Sequence, residues 1–366
     1  MKRFWLLPFM FLILGSCQDH KAISIGFISG LSGGNADLGE AGRNGAILAV
    51  EEINANGGVN GKPINLIIKN DGNDPDIAKK SAHELVDEKV VAIVGPFSTA
   101  MVEAVVSVAS PQKTLVITPT ASAMKLAGKD DYIILMNSST RVNARAYADF
   151  MVSRRGYDRI KIAADEQNFT FSKSWYDEFE LRYEELGGEI LSLQYFNSQL
   201  INNYYSLVTD LVDNDPDCLL FIANSVDCAR IAQQVRKYDD TIPIIAAEWA
   251  GTEQLIELGG SGVEGMEILQ NINFFNQGAE FVMFLNNYEQ RFNQKASFSG
   301  VMAYETVYVI ADALLHQKKG ENLKDTIVGG GPYEGLQQSI EFDVNGDMRR
   351  HPVFVQIKDK EYILAP

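Results

Sequence analysis

Residues 90–123 constrain this chain more than any other stretch. They read Val90-Val-Ala-Ile-Val-Gly-Pro-Phe-Ser-Thr99, then a helical passage, then Thr114-Leu-Val-Ile-Thr-Pro-Thr-Ala-Ser-Ala123. The runs 90–94 and 115–117 are short, apolar and closed by Gly, Pro, Ser and Thr, the pattern of buried strands. Strands that alternate with helices form a parallel sheet, and its loops gather at the carboxyl edge, where ligands bind. The spacing predicts that each loop opens toward a helix, whose N-terminal N–H groups favour an anion. Thr99 and Ser122 then offer two hydroxyls to one negative group. The competing reading makes each of them only a helix N-cap.

The alternation extends in both directions. Residues 23–28, 64–69 and 132–136 read as strands, with a helix over 39–55 and another opening at Asp74-Pro75. A second series follows a polar cluster at Asn137-Ser138-Ser139-Thr140. Its strands are 160–163, 190–195, 218–223 and 242–246, with helices over 174–186 and 226–238. Two series and 366 residues point to two domains. Beyond Gln270 the pattern turns to long amphipathic helices, 281–292 and 301–315, whose aromatic stripes read as core. A turn at 340–347 then leads to strands at 353–357 and 362–364.

Charge and leader narrow the function. A net charge of −16 with no basic stripe argues against a nucleic-acid partner. Met1-Lys2-Arg3, the apolar run 4–14 and Leu14-Gly15-Ser16-Cys17 make a secretory signal over 1–17, too short to span a bilayer. The last four residues resemble the lipobox of bacterial lipoproteins, which implies acylation of Cys17 and an extracytoplasmic, lipid-anchored protein. An exported chain permits a disulfide, so Cys218 and Cys228 read equally as a bridge or as two buried thiols. Neither lies in a metal-ligand spacing, and no metal or cofactor is expected.

Catalysis finds little support. Gly30-Leu31-Ser32-Gly33-Gly34 fits the G-x-S-x-G pattern, but loop residues separate it from the next helix. Of the four histidines, His20, His83, His316 and His351, none is placed as a partner for Ser32. Val328-Gly329-Gly330-Gly331-Pro332 lacks the lysine of a phosphate loop and reads as a turn.

The ordered set of motifs resembles the type I periplasmic binding proteins, in the Leu/Ile/Val-binding branch. The resemblance rests on the 26–39 loop, on the segment 49–63 from Ala49 to Pro63, and on Asp71 with Asp74-Pro75. It continues through Ile93-Val94-Gly95-Pro96, 117–122 and Phe342-Asp343-Val344-Asn345-Gly346-Asp347. It implies an α/β fold of two doubly wound parallel-sheet lobes joined by three hinge crossovers. Residues 22–139 with 273–340 would form the N-terminal lobe, and 140–272 with 341–366 the C-terminal lobe. A hinge motion would close the lobes on an amino acid, small or aliphatic, for delivery to ABC permease subunits. In this family the first lobe holds the ligand carboxylate and an acid on the second holds the ammonium. Carried over, Thr99, Thr120 (through its backbone) and Ser122 face the carboxylate, and Glu248 in Ala246-Ala247-Glu248-Trp249 takes the ammonium. Phe169, Leu38 and Asn224 (or Ser225) fall at positions where the family often has aromatic ligand contacts. The alternative is a sensor of the same fold that acts on a signalling partner.

Overall fold

The computed structural model describes residues 21–33, 36–197, 200 and 204–366; Cys17 and the leader lie outside them. The first series builds one sheet from β1 (Ile23–Ser29), β2 (Ile64–Asn70), β3 (Ala92–Val94), β4 (Leu115–Thr118) and β5 (Ile133–Leu135). All its pairs are parallel, in the order β2-β1-β3-β4-β5. Helices α1 (Ala36–Ala55), α2 (Pro75–Asp87) and α3 (Thr99–Ala109) connect its first four strands. Asp74 caps α2, accepting from the amides of Asp76 and Ile77, with Pro75 in the first turn.

The middle series runs α4 (Thr140–Asp149), β6 (Arg159–Asp165), α5 (Phe169–Glu185), β7 (Glu189–Phe196) and α6 (Tyr205–Val212). It continues through β8 (Cys218–Ile222), α7 (Ser225–Val235), β9 (Ile244–Ala246), α8 (Glu253–Gly259) and β10 (Glu267–Gln270). The chain then returns to the first lobe with α9 (Ala279–Phe292), α10 (Phe298–His316) and α11 (Leu323–Gly330). It ends on the second sheet with β11 (Val353–Lys358) and β12 (Glu361–Leu364). That sheet has the order β12-β11-β10-β9-β8-β6-β7. Strands β6 to β10 pair in parallel, and β11 and β12 add to the edge beside β10 as antiparallel strands. Asp359 and Lys360, both at positive φ, close the β11–β12 hairpin.

Helix α10 is apolar nearly all round and is buried in the first lobe against α1. Close approach of the two helices depends on glycine. A Cβ at Gly45 would sit 2.0 Å from the Gly300 carbonyl oxygen. Gly95, at φ +96°, turns the chain sharply out of β3 toward the loop that carries Thr99.

Two sequence expectations change. Residues 341–350 lie on the first lobe, not the second: the amide of Leu135 donates to Gly346 O (3.0 Å) and that of Met348 to Leu135 O (3.3 Å). The turn covers the open edge of β5, which satisfies backbone groups that would otherwise face solvent. Arg350 then fastens the crossover, donating to Met136 O and to Glu305 in an ion pair with both side chains 2% exposed. The loop after β4 also leads to no helix. It runs through a turn near Met124 into β5, which pairs directly with β4. Cys218 and Cys228 are separate buried thiols.

Candidate functional site

The carboxyl ends of the two sheets face each other across a cavity of about 30 Å³. Its first-lobe wall comes from the loops after β3 and β4 and from the start of α1: Phe97, Thr99, Thr120, Ala121, Ser122 and Leu38. Its second-lobe wall brings Asn168, Phe171, Glu248, Trp249, Gln270 and Asn271. Placement at strand carboxyl ends follows from parallel topology, which puts every βα loop on one edge.

The hydroxyls behave differently from one another. Thr99 Oγ1 and Ser122 Oγ are buried without a hydrogen-bond partner. Neither acts as a helix cap: Thr99 is the first residue of α3, and no helix follows Ser122. Leaving a buried hydroxyl unpaired is costly, so both are suited to a group that enters the cavity. The Thr120 hydroxyl is already spent, donating to Phe97 O at 2.6 Å and tying the two loops together. Asn137 braces the second loop by donating to Thr120 O at 3.1 Å.

Opposite stands Glu248, 8% exposed. Asn143 Nδ2 donates to one carboxylate oxygen at 2.9 Å, and the Trp175 indole N–H to the other at 3.0 Å. Burial pushes its carboxyl above the usual range, and the two donors oppose that push. Tyr147 supports the strand beneath, its hydroxyl donating to Ala246 O and accepting from the Leu269 amide.

Two carried-over positions fall outside the cavity wall. Phe169 is 47% exposed and packs on Tyr195, with ring centroids 5.3 Å apart. As the first residue of α5 it points outward, and Phe171 turns inward to meet Trp249 edge-on at 5.5 Å. Asn224 caps α7, accepting from the Asp227 amide at 2.9 Å and donating to the Asp227 carboxylate. Its neighbour Ser225 reaches the other lobe: Asp37 Oδ2 accepts from Ser225 Oγ at 3.0 Å and from Thr252 Oγ1 at 2.7 Å. The Ala100 amide also crosses, donating to Asn168 Oδ1 at 3.2 Å. The two lobes are therefore closed on each other.

Sequence reasoning did not find Gln270, Asn271, Phe97 or Phe298 in the wall. Asn271 lies in a crossover with no motif of its own, and Phe298 opens a helix whose other aromatics are core. Among the described residues, no group of three or more His, Cys, Asp or Glu side chains is set to hold a metal ion.

A family model described as periplasmic binding protein matches residues 22–361. The chain belongs to the periplasmic binding protein family. Its place there is type I, in the Leu/Ile/Val-binding branch. This binding protein is 21% identical over 331 residues to a leucine-, isoleucine-, valine-, threonine- and alanine-binding protein of Pseudomonas aeruginosa, covering 89% of this chain and 87% of the relative. Over 107 residues, 29% of each chain, it is 35% identical to a Leu/Ile/Val-binding protein of Rhizobium johnstonii. Its fold matches LivJ of Streptococcus pneumoniae, solved with isoleucine, at TM-score 0.87 and 22% identity over 93% of this chain and 98% of that one. The leucine-binding LivK of Thermotoga maritima matches at TM-score 0.85 and 22% identity, over 94% and 98%.

Proposed function

We propose that this binding protein is an extracytoplasmic lipoprotein that captures an α-amino acid in the interlobe cavity and delivers it to an ABC permease. One observation carries the reading. Two unpaired buried hydroxyls, Thr99 and Ser122, stand on one lobe, and a buried carboxylate, Glu248, stands on the other. A zwitterion between them supplies an acceptor to the first and a donor to the second. Contact with both lobes at once is also what makes ligand binding stabilise closure. The amino-acid ligands named for its relatives agree with this reading.

Cys17, directly after the apolar leader, is the acylated residue in this proposal, and β1 begins six residues later at Ile23. The folded body therefore sits close against a bacterial membrane. Titration calorimetry of the purified protein against an amino-acid panel tests the ligand class; absence of binding to every member refutes it. Cys17→Ser should abolish lipid labelling and release the protein from the membrane fraction, and a still-labelled variant would remove Cys17 from the proposal.

A further inference from the structure

The second-lobe wall carries more hydrogen-bond acceptors than an ammonium group can use. Gln270 Oε1 and Asn271 Oδ1 are buried in the cavity lining without a partner. Their residues are 4% and 6% exposed, so both oxygens are shut off from bulk solvent. Both lie at the carboxyl end of β10, on the same lobe as Glu248. Each Glu248 oxygen already accepts one bond, from Asn143 or Trp175, and keeps room for another. The wall thus offers two carboxylate oxygens and two amide oxygens. An α-ammonium brings three N–H donors. If the ammonium bonds both Glu248 oxygens, one N–H is left for the two amide oxygens, so one of these remains for a donor elsewhere on the ligand, and an aliphatic side chain has none to give. Sites built to pair with a polar group reject analogues that lack it, because the wall is then left buried and unpaired.

Size sets a second limit. The cavity of about 30 Å³ has room for about one or two waters, so any amino acid must part the lobes, and a short side chain parts them least.

We propose that the cavity selects a short α-amino acid whose side chain ends in a neutral hydroxyl or amide, and that Gln270 and Asn271 read that group. The inference rests on the amino-acid reading above. Hydroxyl and amide groups both donate and accept, so they satisfy the two wall amides whichever way those amides are turned.

Isosteric ligand pairs test it on the unaltered protein. Calorimetry should show threonine binding at least about tenfold tighter than valine, or asparagine at least about tenfold tighter than leucine. Gln270→Met and Asn271→Leu should bring the ratio for that pair toward one. Glu248→Gln should weaken both members together and leave the ratio unchanged. Valine and leucine binding as tightly as their polar partners would overturn the inference and leave the amino-acid reading standing. No binding by any amino acid would overturn both. A wild-type preference that survives in Gln270→Met and Asn271→Leu, each shown to be folded by circular dichroism, would remove those two residues from the selection.

Discussion

Replacing Glu248 by glutamine tests the binding reading most directly. The substitution keeps the side-chain shape and removes only the charge. In the native site one carboxylate oxygen accepts from Asn143 Nδ2 at 2.9 Å and the other from Trp175 Nε1 at 3.0 Å. A glutamine can keep the indole bond through its oxygen and turn its NH₂ toward Asn143. Asn143 Oδ1 is buried without a partner, so a turned Asn143 amide would accept that NH₂. The ligand-free fold should therefore lose little, and removing a desolvated charge offsets part of any loss. Binding should suffer instead, because a charge-assisted hydrogen bond to the ammonium becomes a neutral one. A charge-assisted hydrogen bond is worth about 1.5–3 kcal/mol, so loss of its full worth corresponds to roughly a 10- to 150-fold rise in Kd. Calorimetry gives the affinity and thermal unfolding the stability of the free protein. Acid pH adds a second reading. The carboxyl is held above its usual range by burial, so wild-type affinity should fall as pH drops through its titration. The variant should lack that dependence. An unchanged Kd would refute the assignment, and a large fall in free-protein stability with unaltered Kd would make Glu248 purely structural.

Two further expectations concern stability and closure. Asp165 is fully buried, and burial, helped by the nearby Asp227 and Glu166 charges, pushes its carboxyl up to about 7 from an ordinary 3.8. The folded state then binds more protons than the unfolded state between those values, so its contribution is complete below about pH 4 and is lost as pH rises through about 7. Asp165→Asn should raise Tm at pH 8 and change it little at pH 4; an equal shift at both would refute the linkage. Asp37→Ala removes the acceptor that Ser225 and Thr252 share across the cleft. It should weaken ligand binding several-fold and enlarge the ligand-bound protein in solution X-ray scattering; an unchanged radius of gyration would mean that this contact does not hold the lobes shut.

What the chain declares locally and what it settles only on folding divide along a physical line. The βα units, the helix that Pro75 opens and the hydroxyl-rich loops were readable because each depends on neighbours within about ten residues. Hydrophobic period, turn chemistry and capping are short-range effects. Thr99 and Ser122 were reachable because parallel topology places every strand's following loop on one edge; Glu248 was named by the family resemblance, and its place after β9 agrees with the same rule. Phe169 shows the limit: two residues of helical phase separate an exposed ring from Phe171 in the cavity wall, and no local signal marks where the first turn of α5 begins. Asn224 shows another, since a side chain that can cap a helix or meet a ligand is decided by what stands nearby. The segment 341–350 attaches to β5 because that strand has an open edge, a fact about distant partners. Gln270 and Asn271 carry no motif. They become part of a site only when β10 aligns with β9 and the opposite lobe closes off water, because an amide's unpaired oxygen is costly only where solvent cannot reach it.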